Sequence, residues 1–224
     1  MRRCLQCLQP IHEPLTAINI YKPPKLICSQ CESLWQACRI KDKKQRCSRC
    51  LNQCGHSTQQ CLDCQFLANR FQLMTQLYCD YQYTGIIKAL IHQYKFMKDH
   101  YLAQVLAYQL KLPQIKYDYV VPIPSPKVRD DARTFNPVTT VLAYKGIQYI
   151  NLLATDLRPK QSKLSKIERA EASNPFYISL DIDLTNKEIL LVDDIYTTGL
   201  TIHHAGCKLL ENKVRKFSVY TFAR

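Results

Sequence analysis

The sequence predicts an α/β protein, a mostly parallel sheet covered by helices, preceded by a small cysteine-rich module. Three observations predict it. Ten of the twelve cysteines lie before residue 65. From there on, short apolar runs of strand type alternate with segments of helical periodicity. Near the C-terminus, Glu188 to Asp193 is a buried-strand pattern followed at once by a helix, Leu200 to Glu211. A chain of 224 residues accommodates one core of roughly 150 residues plus a small stapled module. The expected division is therefore 1–65 for the module and 66–224 for the α/β domain. In such sheets ligands bind beyond the carboxyl ends of the strands.

The elements follow in order. Eight cysteines form four C-x-x-C pairs, Cys4/Cys7, Cys28/Cys31, Cys47/Cys50 and Cys61/Cys64. Each pair lets two thiolates meet one tetrahedral ion across a tight turn, and thiolate-only sites are typical of structural zinc. Four pairs imply two Zn²⁺ ions. Sequential use joins Cys4, Cys7, Cys28 and Cys31 on one ion and Cys47, Cys50, Cys61 and Cys64 on the other. An interleaved arrangement also satisfies the spacing, and Cys38, Cys54, His12 and His56 are spare donors better read as unligated. About 60 residues hold too little core to fold alone, so metal should supply much of the folding energy, and chelation should unfold the module while leaving the rest folded.

Gln65 to Gln76 lacks Gly and Pro and reads as a helical junction. Leu77 to Tyr83 alternates like a strand. Thr84 opens a helix with Ile87, Leu90, Ile91 and Tyr94 on one face, and Asp99 to Leu110 forms another. Tyr117 to Ile123 is a short strand closed by prolines. Phe135 to Ala143 is a helix started by Asn136-Pro137, Ser165 to Ala172 a weaker one, and Lys216 to Phe222 a final strand. No long internal repeat is apparent.

Net charge is +13, from 31 basic and 18 acidic side chains, which favours polyanionic partners. Arg39, Lys41, Lys43, Lys44, Arg46 and Arg49 crowd the middle of the module and suit nucleic-acid phosphates or a solvated basic loop. Tyr78, Tyr81, Tyr83, Tyr94 and Tyr101 interleave with Lys88, Lys95 and Lys98, a pattern suited to single-stranded DNA but read first as semi-buried core. No secretory signal is visible, and no segment approaches the ~20 apolar residues of a membrane span. A soluble, cytoplasmic protein is expected, with peripheral membrane contact open. Twelve cysteines in a reducing compartment point to metal before disulfides.

Most informative is Ile189-Leu190-Leu191-Val192-Asp193-Asp194-Ile195-Tyr196-Thr197-Thr198-Gly199. Two carboxylates end a buried strand, and a hydroxyl-rich turn opens into a helix. Asp193 and Asp194 can accept hydrogen bonds from a ribose diol. Thr197, Thr198, Thr201 and the first amides of the helix can hold a 5-phosphate, which Gly199 lets approach. A single Asp would suffice to end the strand and cap the helix.

This segment resembles the PRPP-binding motif of type I phosphoribosyltransferases. Nearly the whole chain resembles the ComF family, late-competence proteins that join cysteine pairs to a phosphoribosyltransferase domain. The resemblance rests on the four cysteine pairs, Val121-Pro122-Ile123-Pro124, Arg133-Thr134-Phe135-Asn136, Lys160-Gln161-Ser162 and the Asp-Asp…Thr-Thr-Gly loop. It implies a type I phosphoribosyltransferase-like sheet that binds PRPP with Mg²⁺. Asp193 and Asp194 would serve as the catalytic acids on the ribose, with Thr197, Thr198, Gly199 and Thr201 on the 5-phosphate. Arg129 and Arg133 would face pyrophosphate, and Arg158 to Arg169 would form a flap. It further implies a role in DNA uptake during natural transformation, with single-stranded DNA and a helicase-like competence protein as partners. The rival reading is an active phosphoribosyltransferase with an unknown acceptor. One position departs from the family: Thr134 stands where Gly is usual, and a β-branched residue resists a left-handed turn.

Overall fold

A computed structural model describes residues 2–12, 16–18, 20–54, 60–155 and 165–224. Of the flap expected over Arg158 to Arg169, residues 158–164 with Lys160-Gln161-Ser162 lie outside the described residues, as does His56.

The N-terminal part is two copies of one small unit, a repeat that the sequence reading did not expect. Arg3–Leu8 and Arg46–Leu51 share the pattern Arg-Cys-x-x-Cys-Leu. In each copy the leucine amide donates to the carbonyl of the first cysteine at 2.9 Å. Leu8 and Leu51 both take a left-handed conformation, φ 61 and 58°. In each, the arginine guanidinium donates to the leucine carbonyl, Arg3 to Leu8 at 3.1 Å and Arg46 to Leu51 at 3.0 Å. The second cysteine pair then starts a helix. Cys28 caps α1 (Ser29–Ala37) and Cys61 precedes α2 (Leu62–Ala68). Only two short motifs of unlike spacing carry this duplication, so it was hidden in the one-dimensional pattern.

The rest is the expected α/β assembly. In chain order it comprises β1 (Leu77–Tyr78), α3 (Gly85–Phe96), α4 (Leu102–Gln109), β2 (Tyr119–Pro122), α5 (Lys127–Arg133), α6 (Pro137–Tyr144), β3 (Leu153–Thr155), α7 (Lys166–Glu171), β4 (Phe176–Ile178), β5 (Glu188–Ile195), α8 (Leu200–Glu211) and β6 (Lys216–Ala223). The main sheet has the order β1-β6-β5-β2, and every pairing in it is parallel. A separate antiparallel pair, β3-β4, was not foreseen from sequence.

Two expectations shift, each for a tertiary reason. The junction helix starts earlier, inside the cysteine module, and stops at Ala68. After a turn in which Arg70 and Phe71 donate to the Leu67 carbonyl, the chain is laid along β6, Thr75 donating to Phe217 and Gln76 accepting from Val219. The strand expected over Leu77 to Tyr83 pairs with β6 only at Leu77 and Tyr78. Its remainder turns back to the module, where Asp80 accepts from Ile40 and Gln82 donates to Cys38. Helix α5 buries no residue, so it carries no amphipathic signal to read.

The two cysteine units sit on opposite faces of the sheet. Cys4, Cys31 and Trp35 join α3, α4 and α6 over Leu190, Val192, Tyr220 and Phe222. Cys47, Cys50, Cys61 and Cys64 join α8 over Ile189, Leu191, Phe217 and Val219. Successive side chains of a strand point to opposite faces, so this alternation places one unit on each side. Residues 1–65 thus contribute to both cores of the sheet.

Candidate functional site

Parallel pairing brings the carboxyl ends of β5 and β2 side by side. Val192 lies opposite Pro122, and the Ile123 amide donates to the Val192 carbonyl at 2.8 Å. The acid pair at the end of β5 and the loop after β2 therefore share one edge of the sheet. Asp193 turns its Oδ1 to accept the Asp194 amide at 2.8 Å. Burial, reinforced by the neighbouring Asp194 carboxylate, raises Asp193 to about 8. Asp194 instead meets Lys95, whose Nζ lies 2.5 Å from Oδ2, with both side chains largely covered. Lys95 is a site residue that the sequence reading grouped only with the lysines interleaved among the tyrosines. Its position at the end of α3, one turn past buried Ile91, was the available signal.

After Ile195 the chain turns at Tyr196–Gly199 into α8. Gly199 has φ +80° and is the N-cap of α8, with no side chain capping the helix. A Cβ there would fall 2.2 Å from the Tyr196 hydroxyl oxygen and 3.2 Å from Leu67 Cδ1. Glycine is therefore demanded twice, by conformation and by space. Thr197 and Thr201 are exposed, Thr198 half-buried. The leading amides of α8 and three threonine side chains thus stand beside the two carboxylates. Inside the turn, His203 shares a 2.8 Å hydrogen bond between Nδ1 and the Gly199 carbonyl.

On the β2 side, Asn136 is the organising residue. Its Oδ1 accepts the amides of Val138 and Thr139 and so caps α6, while its Nδ2 donates to Asp130 at 2.9 Å. Ser125 closes the ring by donating to Asp130. Arg133 lies over Phe96, 5.9 Å from the ring centroid, adjacent in sequence to Lys95. Arg129 is exposed on α5. Thr134 adopts φ +71°, ψ 0°, the left-handed cap of α5, so the turn for which the family uses Gly is kept by a β-branched residue.

The thiols of Cys4, Cys7, Cys28 and Cys31 gather in one group and those of Cys47, Cys50, Cys61 and Cys64 in another, all Sγ atoms of a group within 4.8 Å of one another. Cys4–Cys31, Cys7–Cys28 and Cys47–Cys64 are each 3.7 Å apart, and Cys50–Cys61 3.4 Å. A tetrahedron with metal–sulfur bonds of about 2.3 Å has edges of about 3.8 Å, so the donor sets fit zinc. Hydrogen bonds from the Cys50 and Cys64 thiols hold Cys47 well below the usual thiol range. Cys38 and Cys54 donate instead to the carbonyls of Thr84 and Asn52. Of the basic cluster, Arg46 and Arg49 are tied to the carbonyls of Leu51 and Met74.

Of the interleaved tyrosines, Tyr81 and Tyr94 are core, their hydroxyls donating to Gln109 and Pro137. Tyr101 is exposed. Thr84 makes no side-chain cap for α3. Among the described residues, no helix is long and apolar enough to cross a membrane.

Comparison with known proteins decides the family. Competence protein ComFC of Streptococcus pneumoniae (strain ATCC BAA-255 / R6) is 31% identical over 227 residues, spanning 99% of this chain and 98% of that protein. The chain belongs to the ComFC family. ComFC of Bacillus subtilis (strain 168) is 28% identical over 236 residues, again with 99% of this chain covered and 94% of the relative. A search of family models finds no match. Among solved structures, a hypoxanthine phosphoribosyltransferase from Staphylococcus aureus covers 70% of this chain and 69% of its own at 13% identity, with a TM-score of 0.28, too loose a superposition to bear on function.

Proposed function

We propose that this ComFC-family chain is a ComF-type competence protein for DNA uptake in natural transformation, acting in the cytoplasm, whose phosphoribosyltransferase-like domain binds PRPP with Mg²⁺. One observation carries the reading: paired carboxylates at the carboxyl end of β5 stand beside an α8 N-terminus that glycine leaves uncapped. A ribose 5-phosphate presents the complementary groups, a diol and a dianion about one sugar apart. Asp193 and Asp194 would hold the 2′- and 3′-hydroxyls. Thr197, Thr198, Gly199 and Thr201 would hold the 5-phosphate, and Arg129 and Arg133 would face pyrophosphate. Mg²⁺ would be held with the substrate beside Asp193 and Asp194, where it would supply positive charge against the pyrophosphate. Lys95, in contact with Asp194 Oδ2, orients that carboxylate. The two cysteine groups would each hold one structural Zn²⁺.

Single-stranded DNA is the second proposed ligand. It is supported by the +13 charge and by a groove of about 620 Å³ between α1 and the end of α4, where Lys25, Arg39 and Lys111 surround exposed Tyr108. A helicase-like competence protein and the membrane surface remain proposed contacts of the same basic surface.

The deciding test is calorimetric titration with PRPP in the presence and absence of Mg²⁺. Mg²⁺-dependent binding that Asp194→Ala abolishes supports the reading, and absence of binding overturns it. Release of pyrophosphate only when an acceptor is added would favour the active-enzyme alternative. Binding without release would favour a binding module.

A further inference from the structure

The turn that opens α8 is supported from behind by the second cysteine group. Tyr196 is 2% exposed, and its buried hydroxyl has no hydrogen-bond partner. That hydroxyl occupies the space a Gly199 side chain would need. The guanidinium of Arg224 lies over the Tyr196 ring, 5.5 Å from its centroid. Arg224 in turn donates to the Cys50 carbonyl at 2.7 Å and to the Cys50 thiol at 3.7 Å. On the other flank of Gly199 stands Leu67, fully buried, one helical turn along α2 from Cys64. Both supports of the turn are thus anchored on residues of the Cys47/Cys50/Cys61/Cys64 group. The first group, by contrast, packs on α3 and α4 through Trp35.

We propose that metal in the second cysteine group fixes the geometry of the Tyr196–Gly199 turn, with Tyr196 and Leu67 as positioning residues, so that this metal and an anion on the turn stabilise each other. Metal in the first group is not coupled to the turn. The physical reason is rigidity: a buried tetrathiolate centre locks α2 and the Cys50 backbone, and the Tyr196 ring and Leu67 leave the glycine one position. Coupling of this kind is reciprocal, so a phosphate ester on the turn tightens the hold on one zinc equivalent against a competing chelator and leaves the other unaffected. This last consequence rests on the phosphate reading of the turn. The mechanical link does not.

Two measurements on the full, zinc-loaded chain separate those claims. The first is amide hydrogen exchange over residues 196–203. Tyr196→Leu and Leu67→Ala, with two zinc equivalents retained, should accelerate exchange there by about 10-fold, a typical coupling between linked sites. Cys61→Ser should do the same, while Cys7→Ser should leave this segment unchanged. Unchanged exchange in Tyr196→Leu and Leu67→Ala, or equal acceleration in Cys7→Ser, overturns the proposal. Those two variants decide the matter even if Cys61→Ser does not fold. The second measurement is zinc release to a chromogenic chelator with and without ribose 5-phosphate. Protection of one equivalent, lost in Tyr196→Leu, supports the coupling. Binding of ribose 5-phosphate without protection defeats the reciprocal coupling. Failure of ribose 5-phosphate to bind at all defeats the phosphate reading, and exchange then stands alone as the test of the mechanical link.

Discussion

Replacing Thr134 by glycine should stabilise this protein. Thr134 sits at φ +71°, ψ 0° at the end of α5, with its side chain exposed. The left-handed region costs an ordinary L-residue roughly 1–2 kcal/mol, and branching at Cβ places threonine at the upper end. Glycine removes that cost but gives back roughly 0.5–1 kcal/mol, because its unfolded chain is more disordered. The threonine hydroxyl also donates to the carbonyl of the adjacent Arg133. That bond is exposed, and water replaces it at little cost. The net gain is about 1–1.5 kcal/mol. For a chain of this size that corresponds to a rise in midpoint of about 2–6 °C. Urea titration of wild type, Thr134→Gly and Thr134→Ala provides the check. Alanine retains the left-handed penalty, so it should gain less than glycine. A Thr134→Gly variant less stable than wild type, or an alanine variant equal to it, would refute the strain argument. The same variant tests the site. If the turn forms part of a pyrophosphate pocket, restoring the family's Arg-Gly-Phe-Asn pattern should tighten PRPP binding with no change in the zinc content.

Other outcomes follow from the site. Asp193 is raised to about 8 by burial and by Asp194, so the folded state keeps its proton where the unfolded chain has lost it. Stability should therefore fall as pH rises from about 4 to about 8, by at most ~1.4 kcal/mol per unit, and Asp193→Asn should flatten that slope in urea titrations. Lys95→Met leaves Asp194 without its cation and should cost about 3 kcal/mol of stability, while moving Asp193 still higher by removing a charge that lowers it; NMR titration of the carboxyl carbons would show the shift. Gly199→Ala places a methyl group against the Tyr196 hydroxyl and should weaken PRPP binding at least ~10-fold while lowering the thermal midpoint. Removal of zinc should disturb both faces of the sheet, since each cysteine group packs on one of them; a chelated protein whose residues 66–224 keep native circular dichroism and exchange protection would contradict this.

Much of this architecture could be read from the sequence. Strand β5, helix α8, the acids between them and the four cysteine pairs are local patterns, and a buried run followed by a Gly-opened helix survives in almost any tertiary setting. What escaped was decided by partners distant in sequence. The helix stops at Ala68, and the chain beyond its closing turn bonds to β6 through Thr75 and Gln76. Lys95 became a site residue only because α3 ends beside the tip of β5. The sequential pairing of the cysteines had an interleaved rival on spacing alone. The folded chain separates the groups by gathering the eight thiols into two sets, the Sγ atoms of each within 4.8 Å of one another. Helix α5 buries nothing, and a helix without an apolar stripe leaves no periodicity to detect.

The strand order has a consequence for how the molecule is assembled. β6 follows every other described element in the sequence, yet it lies between β1 and β5. Before it is made, β1 has no neighbour in the main sheet, and β5 pairs on one side alone with β2. A nascent chain therefore presents two unsatisfied parallel edges, the kind of surface that recruits other strands. The second cysteine group is complete much earlier, at Cys64, but its Arg224 contact to Cys50 arrives only with the end of β6. Formation of β6 thus inserts one strand into a waiting slot, and that single event joins β1 to β5 and fastens the sheet to the metal-binding unit. Chains truncated before Lys216 should accumulate as aggregates rather than as partly active protein.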